Sequence, residues 1–131
     1  MSNNSFGFEE LEIWKKARLL KIEISATVKF FPADEKYKLA DQLIRSSRSI
    51  GALIAEGHGR FSYLDQIHIC VQARGSLAET MNHLIDAMDE TYISEIVLAD
   101  YRIKFKELER MLNGYIIYLR TQKDLKSSKP V

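Results

Sequence analysis

Residues 42–60 read QLIRSSRSIGALIAEGHGR, and this stretch decides the fold. Its apolar line is Leu39, Leu43, Ser46, Ile50, Leu53 and Gly57, with spacings that alternate four and three. That repeat is the seam of a helix packed against other helices. A second line, Ser47, Gly51 and Ala55, carries only small residues and predicts close approach of a neighbouring backbone. Gln42, Arg45, Arg48, Ser49 and Glu56 are threaded through both lines. Charges beside a tight seam are costly unless paired or hydrated, so they call for partners. Gly57 is expected to end the helix in a left-handed C-cap.

Three further helices surround this one. Helix one is expected from about Phe8 to Phe30, with Ile13, Ala17, Leu20, Ile24, Val28 and Phe31 as its seam. Leu19, Ile22 and Ala26 widen its apolar face, which makes it the candidate for an inter-subunit surface. Pro32 ends it, because the residue before proline is pushed out of helical geometry. Asp34 and Glu35 are placed in the first turn of helix two, where negative charge suits the helix dipole. Ser62 has the position of an N-cap for helix three, with Asp65 behind it. The seam of helix three reads Ile67, Cys70, Arg74, Leu77, Met81, Leu84 and Met88, ending near Thr91. Helix four begins near Ser94, with Leu98, Tyr101, Phe105, Leu108, Leu112, Tyr115 and Leu119.

Short connections force antiparallel neighbours, so the fold class is all-α, an up-down-up-down antiparallel four-helix bundle. The domain reading is a disordered N-terminus over 1–7, the bundle over 8–120, and a basic flexible tail over 121–131. If the turn between helices two and three centres near Gly59–Arg60, Arg45 is level with Arg74 and near Glu79. Gly51, Gly75 and Gly114 lie inside helices, where glycine costs about 1 kcal/mol relative to alanine. Close backbone approach is the expected compensation.

A 131-residue chain with 46% hydrophobic residues is the size and composition of one soluble domain. MSNNSFGFEE at the start has neither a basic region nor an apolar run, so no signal peptide is expected. No stretch approaches the roughly 20 apolar residues of a membrane span, and a cytoplasmic location is expected. The net charge of +1 hides an uneven distribution. Residues 63–93 hold one arginine against five carboxylates, and residues 120–131 hold four cations against one. Nucleic-acid-binding domains are usually more basic than one such subunit.

Site chemistry is sparse. Cys70 is the lone cysteine, with no evident base, and reads as core. Asp65 with His68 and Glu79 with His83 are at helical spacing, but di-metal bundles need Glu-x-x-His on each of two helices. No metal and no cofactor is expected. Gly57-His58-Gly59 follows a helix, whereas phosphate loops precede one. The constellation worth weighing is Gln42, Arg45, Arg48, Glu56, Arg60, Arg74 and Glu79. It reads first as a register-fixing polar network between helices or subunits, with an Arg45–Glu79 contact. Its other reading is a partner surface for anions or RNA phosphates.

Gln42, Arg45, Ser49 and Ile50, followed by Ile54-Ala55-Glu56-Gly57, Gly59 and Arg60, form a pattern that resembles the bacterial four helix bundle protein family. Founding members of that family are encoded by intervening sequences inside 23S ribosomal RNA genes. Flanking matches are Phe8, Leu11 and Trp14-Lys15-Lys16-Ala17, then Phe31-Pro32 with Glu35, Tyr37 and Leu39, and Arg74-Gly75-Ser76-Leu77-Ala78-Glu79. The family usually has Asn where this chain has Leu53. The resemblance implies a homo-oligomer, a ring-shaped pentamer, without enzymatic activity. It further implies a scaffold that binds RNA, DNA or a nucleic-acid enzyme. The related accessory protein of diversity-generating retroelements is a similar ring that docks on a reverse transcriptase. The alternatives are a small metal-binding or enzymatic bundle, and a purely structural oligomer.

Overall fold

A computed structural model describes residues 4–128. Four helices account for the architecture: α1 (Glu12–Thr27), α2 (Leu39–His58), α3 (Tyr63–Asp89) and α4 (Glu95–Ser128). The 3₁₀ turns Gly7–Glu10, Val28–Phe30 and Ala33–Glu35 flank α1 and lead into α2. Among the described residues there is no strand, and no helix is long and apolar enough to cross a membrane.

Polar pairs give the direction of each helix. Ser46 meets Thr80 and Ser49 meets Ser76, so α2 and α3 run antiparallel. Lys16 meets Glu107 and Glu23 meets Lys104, so α1 and α4 do too. The α2–α3 pairing is the most extensive, followed by α3–α4 and α1–α2, while α1 and α4 meet along a thin seam. The levels across α2 and α3 are displaced from the sequence expectation, and Arg45 is not level with Arg74.

The seam expected for α1 is buried throughout, from Ile13 to Phe31. On α2, Ile54 is buried at 1% exposure, whereas Leu53 is half-buried on the α3 side. On α3 the buried line is Ile67, Cys70, Ala73, Leu77, Thr80, Leu84 and Ala87. Arg74, Met81 and Met88 lie at its edge. On α4, Ile116 is buried in place of Tyr115. These shifts have one cause. A helix packed on two neighbours buries an arc wider than one heptad line, so the buried set shifts toward the residues between the two neighbours.

Several helix ends also differ from expectation. Gly57 lies inside α2, which ends at His58 with Gly59 at φ −79°, so no left-handed cap forms there. Asp34 and Glu35 form a separate turn, but the Glu35 carboxylate still accepts the Leu39 N–H at 3.1 Å. An acceptor at that place satisfies one of the free donors of the α2 N-terminus. Ser62 caps α3 by accepting the Asp65 N–H at 3.1 Å. After α3, Thr91 adopts φ 64° while the Tyr92 N–H donates to the Ala87 carbonyl at 2.8 Å. This is a Schellman turn with a β-branched residue where glycine is usual. The expected flexible tail is helical through Ser128, and its last three residues lie outside those described. Residues 4–7 include Ser5, bonded to Glu10 at 3.1 Å, and Gly7, which opens a 3₁₀ turn.

The helical glycines divide into three cases. At Gly57 an added Cβ would stand 3.4 Å from Ile69 Cγ2, so the tight approach of α2 to α3 lies there. At Gly51 the nearest neighbours are side-chain atoms, Trp14 Nε1 at 3.7 Å and Ala17 Cβ at 3.9 Å, an ordinary contact. Around Gly75 and Gly114 nothing lies within 4 Å, so close approach does not explain them. Gly75→Ala and Gly114→Ala are each expected to raise stability by about 0.5–1 kcal/mol, through helix propensity alone. Urea midpoints at one fixed protein concentration check this.

Candidate functional site

The polar residues singled out on α2 and α3 do not assemble into one network. Arg45 pairs with Asp41 at 3.1 Å, Arg60 with Glu56 at 2.7 Å, and Glu79 with His83 at 3.3 Å. Each pair lies four residues apart on a single helix or at its end. Such partners need little side-chain ordering to meet, which explains why the expected Arg45–Glu79 contact does not form. Gln42 and Arg48 are exposed. Of the set, Arg74 reaches another helix, donating to Asn113 Oδ1 at 2.8 Å.

Small hydroxyls take the register role that was expected of the arginines. Thr80 Oγ1 lies 2.8 Å from Ser46 Oγ in the buried α2–α3 interface, and Ser49 Oγ lies 3.0 Å from Ser76 Oγ. On the other side, Thr27 and Tyr101 hydroxyls bond across α1 and α4. A slip of either helix breaks these interhelical pairs, although Thr80 would keep its bond to the Ser76 carbonyl at 2.7 Å, so the penalty is the lost pair and not an unpartnered hydroxyl. Ser46 within an apolar line was the visible signal for this. Thr80 had none, because Met81 occupies the heptad position beside it.

The Lys104 ammonium sits between Glu23, at 2.6 Å, and Asp100, at 2.9 Å. Its hydrogen bond to Glu23, then that to Asp100, holds its pKa above the ordinary lysine value. Burial pushes the Cys70 thiol up to about 11, the opposite of what a nucleophile needs. His83 Nε2 faces Glu79, and its Nδ1 is 4.0 Å from Asp86. Among the described residues no three His, Cys, Asp or Glu side chains come together as a metal-holding group.

Two surface features remain. On α1 and the turn after it Leu19, Ile22 and Phe30 are exposed, Phe30 at 87%, and on α4 Ile96 is 83% exposed and Ile103 70%, with Val97 also exposed. Between α1 and α4 lies a groove of about 510 Å³ lined by Ala26, Thr27, Ile96, Val97 and Tyr101 and by the ion-paired Glu23, Asp100 and Lys104. The second feature is a groove of about 320 Å³ between α1 and α2. Its floor is Ala17, Ser47, Gly51 and Ala55, and its walls are Trp14, Arg18, Lys21 and Arg48. Sequence reading found the small line and Arg48 but not the α1 side. Arg18 and Lys21 looked like solvated charges of a helix, and only the packing sets them opposite Arg48.

The architecture is that of an antiparallel four-helix bundle with surface grooves along α1. Residues 9–114 match the family described as 23S rRNA-intervening sequence protein, and the chain belongs to that family. A solved structure from Bacteroides thetaiotaomicron, described as a protein with unknown function from the S23 ribosomal protein family, has the same fold. It is 25% identical, with a TM-score of 0.73, over 79% of this chain and 94% of that one. Comparison with curated proteins gives no match.

Proposed function

We propose that this chain is the subunit of a non-enzymatic, ring-like scaffold that holds a nucleic acid or a nucleic-acid-processing protein. The observation that carries the assembly is the set of exposed apolar side chains on α1 and α4, Leu19, Ile22, Phe30, Ile96, Val97 and Ile103. Phe30 shares one groove with Val97, and Val97 shares the next with Ile96, so part of this surface is continuous, and exposed apolar patches mark interaction sites. A second copy of the same chain is the occupant a homo-oligomer supplies. Five-fold closure is supported by the family resemblance. Membership of a family named for inserts in ribosomal RNA genes supports a nucleic-acid setting. A near-neutral subunit gathers enough positive charge for such a partner only by repetition in an assembly.

Light scattering at micromolar concentration is expected to give a mass several times the 15.1 kDa of one chain. Ile96→Glu with Ile103→Glu is expected to return it to a single chain with unchanged helicity, since both side chains are exposed. A wild-type monomer would rule out the ring. Assembly that persists in the double variant would move the interface elsewhere.

A further inference from the structure

We propose that the α1–α2 groove is a phosphate site for the backbone of a single-stranded nucleic acid, an assignment that rests on the nucleic-acid reading above. Three cations, Arg18, Lys21 and Arg48, line a groove of about 320 Å³. None of them makes an ion pair with a carboxylate among the described residues. Lys16, Arg45, Arg60 and Lys104 each have one, whereas Arg102, Lys106 and Arg110 on α4 also lack one, so what sets this place apart is three such cations lining one groove. Like charges gathered without counter-charge repel, and an anion relieves that.

The remaining geometry suits a phosphate. Gly51, Ser47 and Ala17 form the floor, so no long side chain keeps an oxyanion away from the guanidinium groups. Trp14 Nε1 is turned toward Gly51, 3.7 Å from where a Cβ would stand, and makes no hydrogen bond among the described residues. The Arg18 guanidinium lies over the Trp14 ring at 5.8 Å, which holds its planar fork beside the groove. Two guanidinium forks, an ammonium and an indole N–H are donors, the complement of phosphate oxygens. Trp14 and Lys21 are two helical turns apart, about 10 Å along the axis. That admits a short run of one strand, whereas a duplex is too wide to enter. Phe8 and Ala52 complete the lining, and a docking helix would find only the rings of Phe8 and Trp14 as large apolar anchors above a floor of alanine, serine and glycine.

Trp14 is the sole tryptophan, so its fluorescence reports on the groove without a label. Wild-type protein is titrated at low and high salt with oligouridylate, inorganic phosphate and polyglutamate. Binding of labelled oligouridylate is followed in parallel by anisotropy. Oligouridylate is expected to change Trp14 emission, with affinity that falls as salt rises. Arg48→Ala and Lys21→Ala are each expected to weaken it about tenfold and to lower the salt slope by ~0.7. Arg110→Ala, an exposed cation on α4, is expected to leave it within about twofold, by the smallness of exposed single-charge effects. Arg48 is exposed and Lys21 half-exposed, and unchanged circular dichroism confirms that the variants fold. Oligouridylate binding with the same affinity in Arg48→Ala and Lys21→Ala would overturn the site while leaving the nucleic-acid reading intact. No oligouridylate binding by the wild type at low salt would overturn both. A Trp14 response to polyglutamate or inorganic phosphate without one to oligouridylate would assign the groove to an acidic protein or a free anion and overturn the strand.

Discussion

Ile54→Ala is expected to lower the free energy of unfolding by about 2–5 kcal/mol, the range for deleting buried aliphatic carbons without collapse of the cavity. Ile54 is 1% exposed and belongs to the main core. Leu53→Ala is expected to cost well under half as much, because Leu53 is half-buried and the site is open to water on one side. The pair is informative because a heptad reading of α2 selects Leu53 and packing selects Ile54. Urea unfolding of the two variants, with equal m-values, measures the difference. Equal losses would mean that the α2 helix is rotated from the orientation described above.

Gly57→Leu is expected to be the most damaging single change on the α2–α3 interface. A Cβ alone would already be in contact, 3.4 Å from Ile69 Cγ2 and 3.6 Å from the Gln66 carbonyl oxygen, so the three further carbons of a leucine must displace Ile69 or part the helices. Overpacking of this kind costs about 1–3 kcal/mol or more. Gly51→Ala faces only ordinary contacts and is expected to gain up to about 1 kcal/mol from helix propensity. Thermal unfolding of the two proteins at one concentration should therefore move in opposite directions. A Gly57→Leu protein as stable as the wild type would show that α2 and α3 are not in close contact there.

Much of the bundle is legible from residue order. The α1 seam is buried as its spacing predicts, since one heptad line suffices for a helix with a single dominant core contact. Ser62 as the cap of α3 follows from side-chain chemistry confined to one turn. The family pattern on α2 points to the same fold. Where a helix serves two neighbours, the reading slips by one residue, as with Ile54 for Leu53 and Ile116 for Tyr115. Spacing sets the centre of an apolar arc, and its edges depend on which neighbour comes closer.

The candidate site was less legible, and for a related reason. Arg45, Arg60 and Glu79 were visible as charges, but their partners are the nearest opposite charges or imidazole on the same helix. Arg48 stood out in the sequence, whereas Arg18 and Lys21 became companions to it only when α1 was laid beside α2. The exposed Ile96 and Ile103 were hidden inside a helix that also carries a complete core line.

By itself the sequence determined four helices, their antiparallel order, their family and the single cysteine of the core, because each depends on periodicity or on chemistry within a turn or two. Tertiary structure alone decided which of two adjacent apolar residues is buried and where two helices touch. It also decided which cations share a groove. Those depend on the rotation and level of one helix against another, which are set by the summed packing of all four and leave no mark on any one stretch of chain.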